Sequence, residues 1–247
     1  MELLSPDERD SVSAMKGENQ RKNALLARTL VRTTIARYQV NQHIDPSSLK
    51  FRKNVHGKPK LDWNRDENYN IHTDLHFNVS HTSSLIACGI SATSPIGVDV
   101  EEKGRKMKNN VTAFAERFFA EKEVEYLKSI SDSQVQQQEF IKLWTLKEAF
   151  VKATGKGFSA LPFKTFAISI SSSETQSEIK IVLPEQLKGS TSKWQFGLLD
   201  VAGCHYCAIC TEKNTIDDNG LQVAAWKTIP YVLDELISET DQIMTIA

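Results

Sequence analysis

Apolar and polar positions alternate along the chain with two different periods, which divide it into helix-like and strand-like stretches. Between Arg21 and Tyr38, the residues Ala24, Ala27, Val31 and Ile35 recur near helical spacing. Arg21, Lys22, Arg28, Arg32 and Arg37 lie between them, so a core helix with solvated basic residues is expected. A loop through His56-Gly57-Lys58-Pro59 follows, and strands are predicted at Phe77 to Val79, Leu85 to Ile90 and Ile96 to Glu101, separated by polar turns. After a basic loop from Lys103 to Asn110, Val111, Phe114, Ala115 and Phe118 form the inner stripe of a short helix, and another short helix runs through Leu127. A longer helix is predicted from Val135 to Thr154, stopped by Gly155 and Gly157. Strand-like runs return at Phe166 to Ile170, Ile179 to Leu183, Trp194 to Leu199 and Cys204 to Thr211. The Ser-rich stretch Ser169 to Ser177 reads as a hairpin loop, and Val232, Leu233, Leu236, Ile237 and Ile243 predict an amphipathic docking helix in the tail.

A helix accompanied by strands occurs in each half, so the fold class is α+β, with room for two related lobes. At 247 residues and 40% hydrophobic, the chain can bury a substantial core. Its 30 Lys and Arg against 31 Asp and Glu leave a formal net charge of −1, which provides no general field for nucleic acid or membrane surfaces. Any anion site must therefore be local. No apolar run reaches the length of a bilayer span, and the opening residues lack a secretory core or an Arg-rich transit composition, so the expectation is a soluble intracellular protein. Cytosol, mitochondrial matrix and plastid are not distinguished.

Four cysteines in so long a chain do not form a secreted disulfide framework. Cys204, Cys207 and Cys210 have a superficial metal-ligand spacing. Strand alternation sends Cys207 to the face opposite Cys204 and Cys210, so small apolar packing is the better account.

Three acidic residues carry the chemical interest. In Ile96-Gly97-Val98-Asp99-Val100-Glu101, alternation puts Asp99 and Glu101 on the same face, their Cα atoms roughly 6.5 Å apart, with Gly97 leaving space beside them for a hard cation. A solvated strand face would give the same pattern. Glu148 falls on the stripe Phe140, Trp144, Glu148, Val151, where an apolar residue is expected. Either it is a buried carboxylate that requires a metal, a cation or a raised pKa, or it forms a surface i, i+4 pair with Lys152. If all three acids hold Mg²⁺, phosphate oxygens can complete the coordination, and Lys147 and Lys152 can neutralise phosphate charge. Ser80-His81 suits a phosphate, whereas a serine hydrolase is disfavoured because no partner acid or Gly-x-Ser-x-Gly elbow accompanies the pair. Lys58 is another candidate anion contact.

Taken in order, Gly57-Lys58-Pro59, Phe77-Asn78-Val79-Ser80-His81, Gly97-Val98-Asp99-Val100-Glu101, Arg117-Phe118-Phe119 and Trp144-x-x-Lys147-Glu148-Ala149-x-x-Lys152 resemble the motif series of Sfp-type 4′-phosphopantetheinyl transferases. The likeness runs from about Ser5-Pro6 to Thr211, and Trp226-Lys227-Thr228-Ile229-Pro230 is similar to the family's ending. It implies two pseudo-symmetric α+β lobes, residues 1–95 and 96–247, with the active site at their interface. The implied activity is magnesium-dependent transfer of phosphopantetheine from coenzyme A to a serine of an acyl carrier protein or carrier domain, releasing 3′,5′-ADP.

By the same resemblance, Asp99, Glu101 and Glu148 are metal ligands, Glu148 takes the serine proton, and Lys152 stabilises the transition state. Ser80 and His81 hold the 3′-phosphate, while Lys58 and Lys147 contact the nucleotide or pyrophosphate. The region from Val111 to Lys128 resembles a carrier-docking lobe, with Arg117, Lys122 and Lys128 facing an acidic helix. Two departures stand out. The chain opens almost at the Ser-Pro-acidic motif, which implies a first lobe without the family's opening strand. Glu8 and Ser11 stand where the bacterial prototype has phosphate-binding lysines, and Arg21 and Lys22 are expected to substitute. The two-lobed length implies a monomer. A carrier-binding homologue with impaired catalysis and a magnesium-dependent pyrophosphate hydrolase are the competing readings.

Overall fold

The computed structural model describes residues 1–38, 44–62, 75–107, 110–172, 177–183, 194–213, 221–228, 235–238 and 244–245. Helix α1 (Pro6–Ser13) precedes α2 (Glu18–Arg37), and two hairpins follow: β1 (Phe51–Lys53) with β2 (Pro59–Leu61), and β3 (His76–His81) with β4 (Ile86–Ser91). Val31 and Ile35 of α2 pack with Leu61, Leu75 and Phe77 to form the first core cluster. The expectation that the α2 arginines are all solvated fails at Arg32, which is only 2% exposed. Its guanidinium donates to Glu8 at 2.6 Å and to the carbonyls of Pro46 and Leu49 at 2.5 and 3.0 Å, so α1 is tied to α2 by a satisfied buried charge.

The second half begins with β5 (Ile96–Glu102), followed by α3 (Val111–Phe118), α4 (Glu121–Ser129) and the long α5 (Ser133–Thr154). Asp132 caps α5 by accepting from the Gln134 and Val135 N–H groups, and Gly155 ends it in the left-handed conformation at φ 65°. A hairpin of β6 (Ala167–Ser172) and β7 (Ser177–Val182) comes next, then β8 (Trp194–Val201) and β9 (His205–Glu212). The register of β6 and β7 closes at Ser172 opposite Ser177; the tip of the expected Ser-rich loop, residues 173–176, lies outside the described residues.

Helix α5 lies across one face of the sheet β5–β9–β8, burying Phe140, Leu146, Phe150, Phe196 and Ala208 in the largest core cluster. On the opposite sheet face, Val98, Val100, Leu199 and Cys207 form a third cluster, against which Leu85 and Ala87 of the first half pack. The side chains of β3 close the seam. Asn78 Oδ1 accepts from the Val98 N–H at 2.8 Å, and Ser80 Oγ accepts from the Val100 N–H at 3.3 Å. These N–H groups lie on the edge of β5 that β9 does not cover, and leaving them buried and unpaired would cost about 1–3 kcal/mol each.

The predicted tail helix is corrected. Short strands β10 (Ala225–Lys227) and β11 (Glu235–Ser238) pair antiparallel, and β12 (Met244–Thr245) extends the main sheet beside β8. Leu236 and Ile237 fall inside β11, a short apolar run that periodicity alone cannot distinguish from helix, and strand pairing decides it. Val232, Leu233 and Ile243 lie outside the described residues. Cys207 and Cys210 are buried on opposite faces of β9, while Cys204 sits in the exposed β8–β9 turn, so the thiols do not converge. Among the described residues, no helix is long and apolar enough to cross a membrane.

Candidate active site

Strand alternation on β5 aims Gly97, Asp99 and Glu101 toward α5. The expected space beside Gly97 is instead filled by the helix itself. A Cβ at that position would lie 1.9 Å from the Ala149 carbonyl oxygen and 2.3 Å from the Ala153 nitrogen. Gly97 therefore lets α5 approach β5 closely, which carries Glu148 and Lys152 alongside Asp99. Gly97→Ala is expected to destabilise the chain by at least the roughly 1–3 kcal/mol of an overpacked core, and to lower activity further by lifting Glu148 away from Asp99. Thermal melting combined with an activity assay checks this, and an unchanged melting temperature would refute it.

The resulting pocket, about 570 Å³, draws on both halves of the chain: Ser80 and His81 from β3, Asp99 and Glu101 from β5, and Glu148 and Lys152 from α5. Asp99 is 5% exposed. Its Oδ1 accepts from Ser80 Oγ at 2.9 Å and from Lys152 Nζ at 2.7 Å. The same ammonium donates to Ser80 Oγ at 2.9 Å and to the Val98 carbonyl at 3.2 Å. Lys152 thus turns to Asp99, which removes the simple i, i+4 pair from consideration. Glu101 accepts from Arg105 Nη1 at 2.6 Å.

Burial raises all three carboxyl groups above their ordinary range. At Asp99 this is opposed chiefly by Lys152, and at Glu101 chiefly by Arg105. Glu148 is pushed further up by the charge of Asp99, then drawn down by Lys152 and pushed up again by Glu101. The charge of Asp99 thus raises both Glu101 and Glu148.

The side chains of Lys147 and Lys58 turn elsewhere than expected, Arg21 and Lys22 are not part of this pocket lining, and Ser80 has other partners. Lys147 is fully buried. Its ammonium lies 2.8 Å from both carboxylate oxygens of Glu123 and 2.7 Å from the Phe166 carbonyl, so it points into the core and not toward a nucleotide. Lys58 donates to the carbonyls of Ile96, Lys152 and Ala153 at 2.9, 2.5 and 3.3 Å, capping the end of α5. It lines a separate cavity, and burial lowers its pKa to about 8. Arg21 and Lys22 are exposed on the first turns of α2 and are not among the residues that line the acidic pocket. Ser80 does line the pocket, but its hydroxyl is engaged with Asp99, Lys152 and the Val100 N–H. It organises the carboxylate, whereas His81 is exposed and open to an anion.

The sequence reading missed Arg105, on the pocket rim, and the buried Lys147–Glu123 pair. A usable signal existed for the pair: Leu143, Trp144, Phe150 and Val151 surround Lys147 at i−4, i−3, i+3 and i+4.

Among the described residues, no three acidic, His or Cys side chains stand together as a finished metal cage. The donor set nevertheless suits a hard cation. It consists of carboxylate oxygens alone, and Asp99 Oδ2 is buried without a hydrogen-bond partner. The carboxylate of Glu101 is engaged by Arg105.

Comparison with known proteins defines the class. Residues 1–93 match the N-terminal domain of 4′-phosphopantetheinyl transferases, and residues 95–210 match the 4′-phosphopantetheinyl transferase superfamily. The 4′-phosphopantetheinyl transferase Sfp of Bacillus subtilis (strain 168) is 31% identical over 186 residues, covering 75% of this chain and 73% of the relative. The transferase gsp of Aneurinibacillus migulanus is 29% identical over 199 residues, covering 81% and 74%. The L-aminoadipate-semialdehyde dehydrogenase-phosphopantetheinyl transferase of Mus musculus is 22% identical over 220 residues, covering 86% and 68%. The chain belongs to the 4′-phosphopantetheinyl transferase superfamily and is of the Sfp type.

Proposed function

We propose that this chain transfers the 4′-phosphopantetheine arm of coenzyme A to a serine of an apo carrier protein or carrier domain, leaving 3′,5′-ADP. The observation that carries this reading is the convergence of Asp99, Glu101, Glu148 and Lys152 on one pocket lined from both halves of the chain. The two lobes of the proposal are residues 1–95 and 96–247, acting as a monomer.

In this reading the carrier serine oxygen attacks the β-phosphorus of coenzyme A, its bond to the 3′,5′-ADP oxygen breaks, and the serine proton passes to Glu148. Glu148 suits the task because burial and its acidic neighbours make its carboxylate more basic than usual. Lys152, fixed by three acceptors, directs positive charge at the reacting phosphate without needing to reorganise. Asp99, Glu101 and Glu148 would hold Mg²⁺, which supplies charge neutralisation for the diphosphate when bound. His81, open on the pocket wall, is the group assigned to the 3′-phosphate. Arg117, Lys122 and Lys128 on α3 and α4 are the cations assigned to an acidic carrier helix, Lys128 being shared with Glu116 at 2.6 Å.

The test is mass spectrometry of a panel of apo carrier proteins incubated with the protein, coenzyme A and Mg²⁺. One phosphopantetheine adduct per carrier serine is expected, and none forms when EDTA is present from the start. Coenzyme A cleavage without carrier modification would overturn the proposal in favour of hydrolysis.

A further inference from the structure

Four carboxylates line the pocket, of which Glu102 is taken up by Ser83 and Ser84, and the two cations that face the other three, Lys152 and Arg105, are held very differently. Lys152 is 27% exposed and donates to three acceptors, Ser80 Oγ, the Val98 carbonyl and Asp99 Oδ1. Arg105 is 48% exposed and uses one of its five donors on Glu101. Its backbone, in contrast, is pinned. The Arg105 N–H donates to the Glu102 carbonyl at 3.1 Å, and Gln137 Nε2 of α5 donates to the Arg105 carbonyl at 2.8 Å. The side chain can therefore leave Glu101 while its Cα stays at the pocket mouth.

We propose that Arg105 is a resident counter-ion of the acidic pocket that yields Glu101 to an incoming divalent cation and then binds a phosphate oxygen of the substrate. The inference rests on the reading of the pocket as a magnesium and coenzyme A site, and adds a residue that couples the two ligands. Of the two cations, Arg105 is the one that gives way, since it breaks one half-exposed ion pair whereas Lys152 would abandon three bonds. Once released, the guanidinium presents a planar fork matched to phosphate, at a pocket wall it already lines. The device makes Arg105 a competitor of the metal and an ally of the substrate.

Isothermal titration of the full chain tests this with wild type, Arg105→Met and Arg105→Lys. Without coenzyme A, Arg105→Met is expected to bind Mg²⁺ about two- to fivefold more tightly, the range set by a half-exposed ion pair. At saturating Mg²⁺ it is expected to bind coenzyme A about tenfold more weakly, as for a lost charged hydrogen bond. Arg105→Lys, which keeps the charge but not the fork, falls between on both measures. A purely structural role would weaken both ligands together, so unchanged or weaker Mg²⁺ binding by Arg105→Met overturns the proposal. Repeating the titration with 3′-dephospho-coenzyme A separates the phosphates. Weakening with both compounds assigns the diphosphate, weakening with coenzyme A alone assigns the 3′-phosphate, and weakening with neither overturns the second half of the proposal. If wild type binds no Mg²⁺ at all, it is the metal reading of the pocket that fails.

Discussion

Glu148→Gln is expected to reduce transfer by about 10²–10⁴-fold, the usual range for a lost general base, and at the same time to raise the melting temperature. The two effects share one cause. Burial raises the Glu148 carboxyl, and the neighbouring charge of Asp99 adds to it, so the folded state holds the proton more tightly than the unfolded chain does. A carboxyl raised in this way contributes stability below its unfolded value and loses that contribution as pH rises through the folded value. Above the folded value the ionised group therefore weakens the fold. An amide of the same shape removes the charge, and a gain of roughly 1–4 °C is expected for a chain of this size.

Lowering the pH supplies the control. As Glu148 in wild type takes up its proton it comes to resemble glutamine, so the difference in melting temperature between the two proteins should narrow through the acid range. A folded Glu148→Gln enzyme with wild-type turnover would dismiss Glu148 as base and ligand. A lower melting temperature would show that the carboxylate cluster does not strain the fold.

Most of the secondary structure was legible in the sequence, because periodicity and end signals agreed. Val111 to Phe118 emerges as α3 with Val111 and Ala115 of its expected inner stripe buried and Phe114 and Phe118 partly so, and Gly155 stops α5 as expected. The convergence of Asp99 with Glu101 was legible too, because strand alternation fixes it locally. How Glu148 joins them was not, since that depends on the contact of Gly97 with the backbone of α5, a pairing between residues more than fifty positions apart. Neither local period nor composition carries that information. The directions in which the lysines point were not legible for a related reason. A motif says that Lys147 and Lys58 occur, but whether an ammonium reaches a pocket or a buried carboxylate is decided by residues such as Glu123, distant in sequence and close in space.

Lys147→Met is the sharpest test of that correction, and is expected to cost about 3–5 kcal/mol, which lowers the melting temperature by roughly 10 °C or more. Lys147 and Glu123 are 0% and 2% exposed, and removing one partner strands the other charge in the core. Glu123 also accepts from the Ala120 N–H at 2.9 Å and the Ile168 N–H at 2.8 Å, so the carboxylate that joins α4, α5 and β6 would remain in place without its counter-charge. The ammonium is held as well by the face of Phe166, 4.1 Å from the ring centroid. Burial depresses the Lys147 pKa to about 8 against the opposing pull of Glu123, so at neutral pH the lysine is charged at a cost that only its partners offset. The double variant Glu123→Gln/Lys147→Met should recover part of the loss. It removes both charges while the amide oxygen still accepts from Ile168, although the amide nitrogen meets the Ala120 N–H and caps nothing. Kinetics at low temperature, where Lys147→Met remains folded, then separate the two roles for this residue. A structural lysine leaves the KM for coenzyme A within about twofold of wild type, whereas a residue that touches the nucleotide or diphosphate raises it about tenfold, as expected for a lost charged hydrogen bond. A raised KM in a protein of unchanged stability would restore Lys147 to the binding site and overturn its assignment to the core.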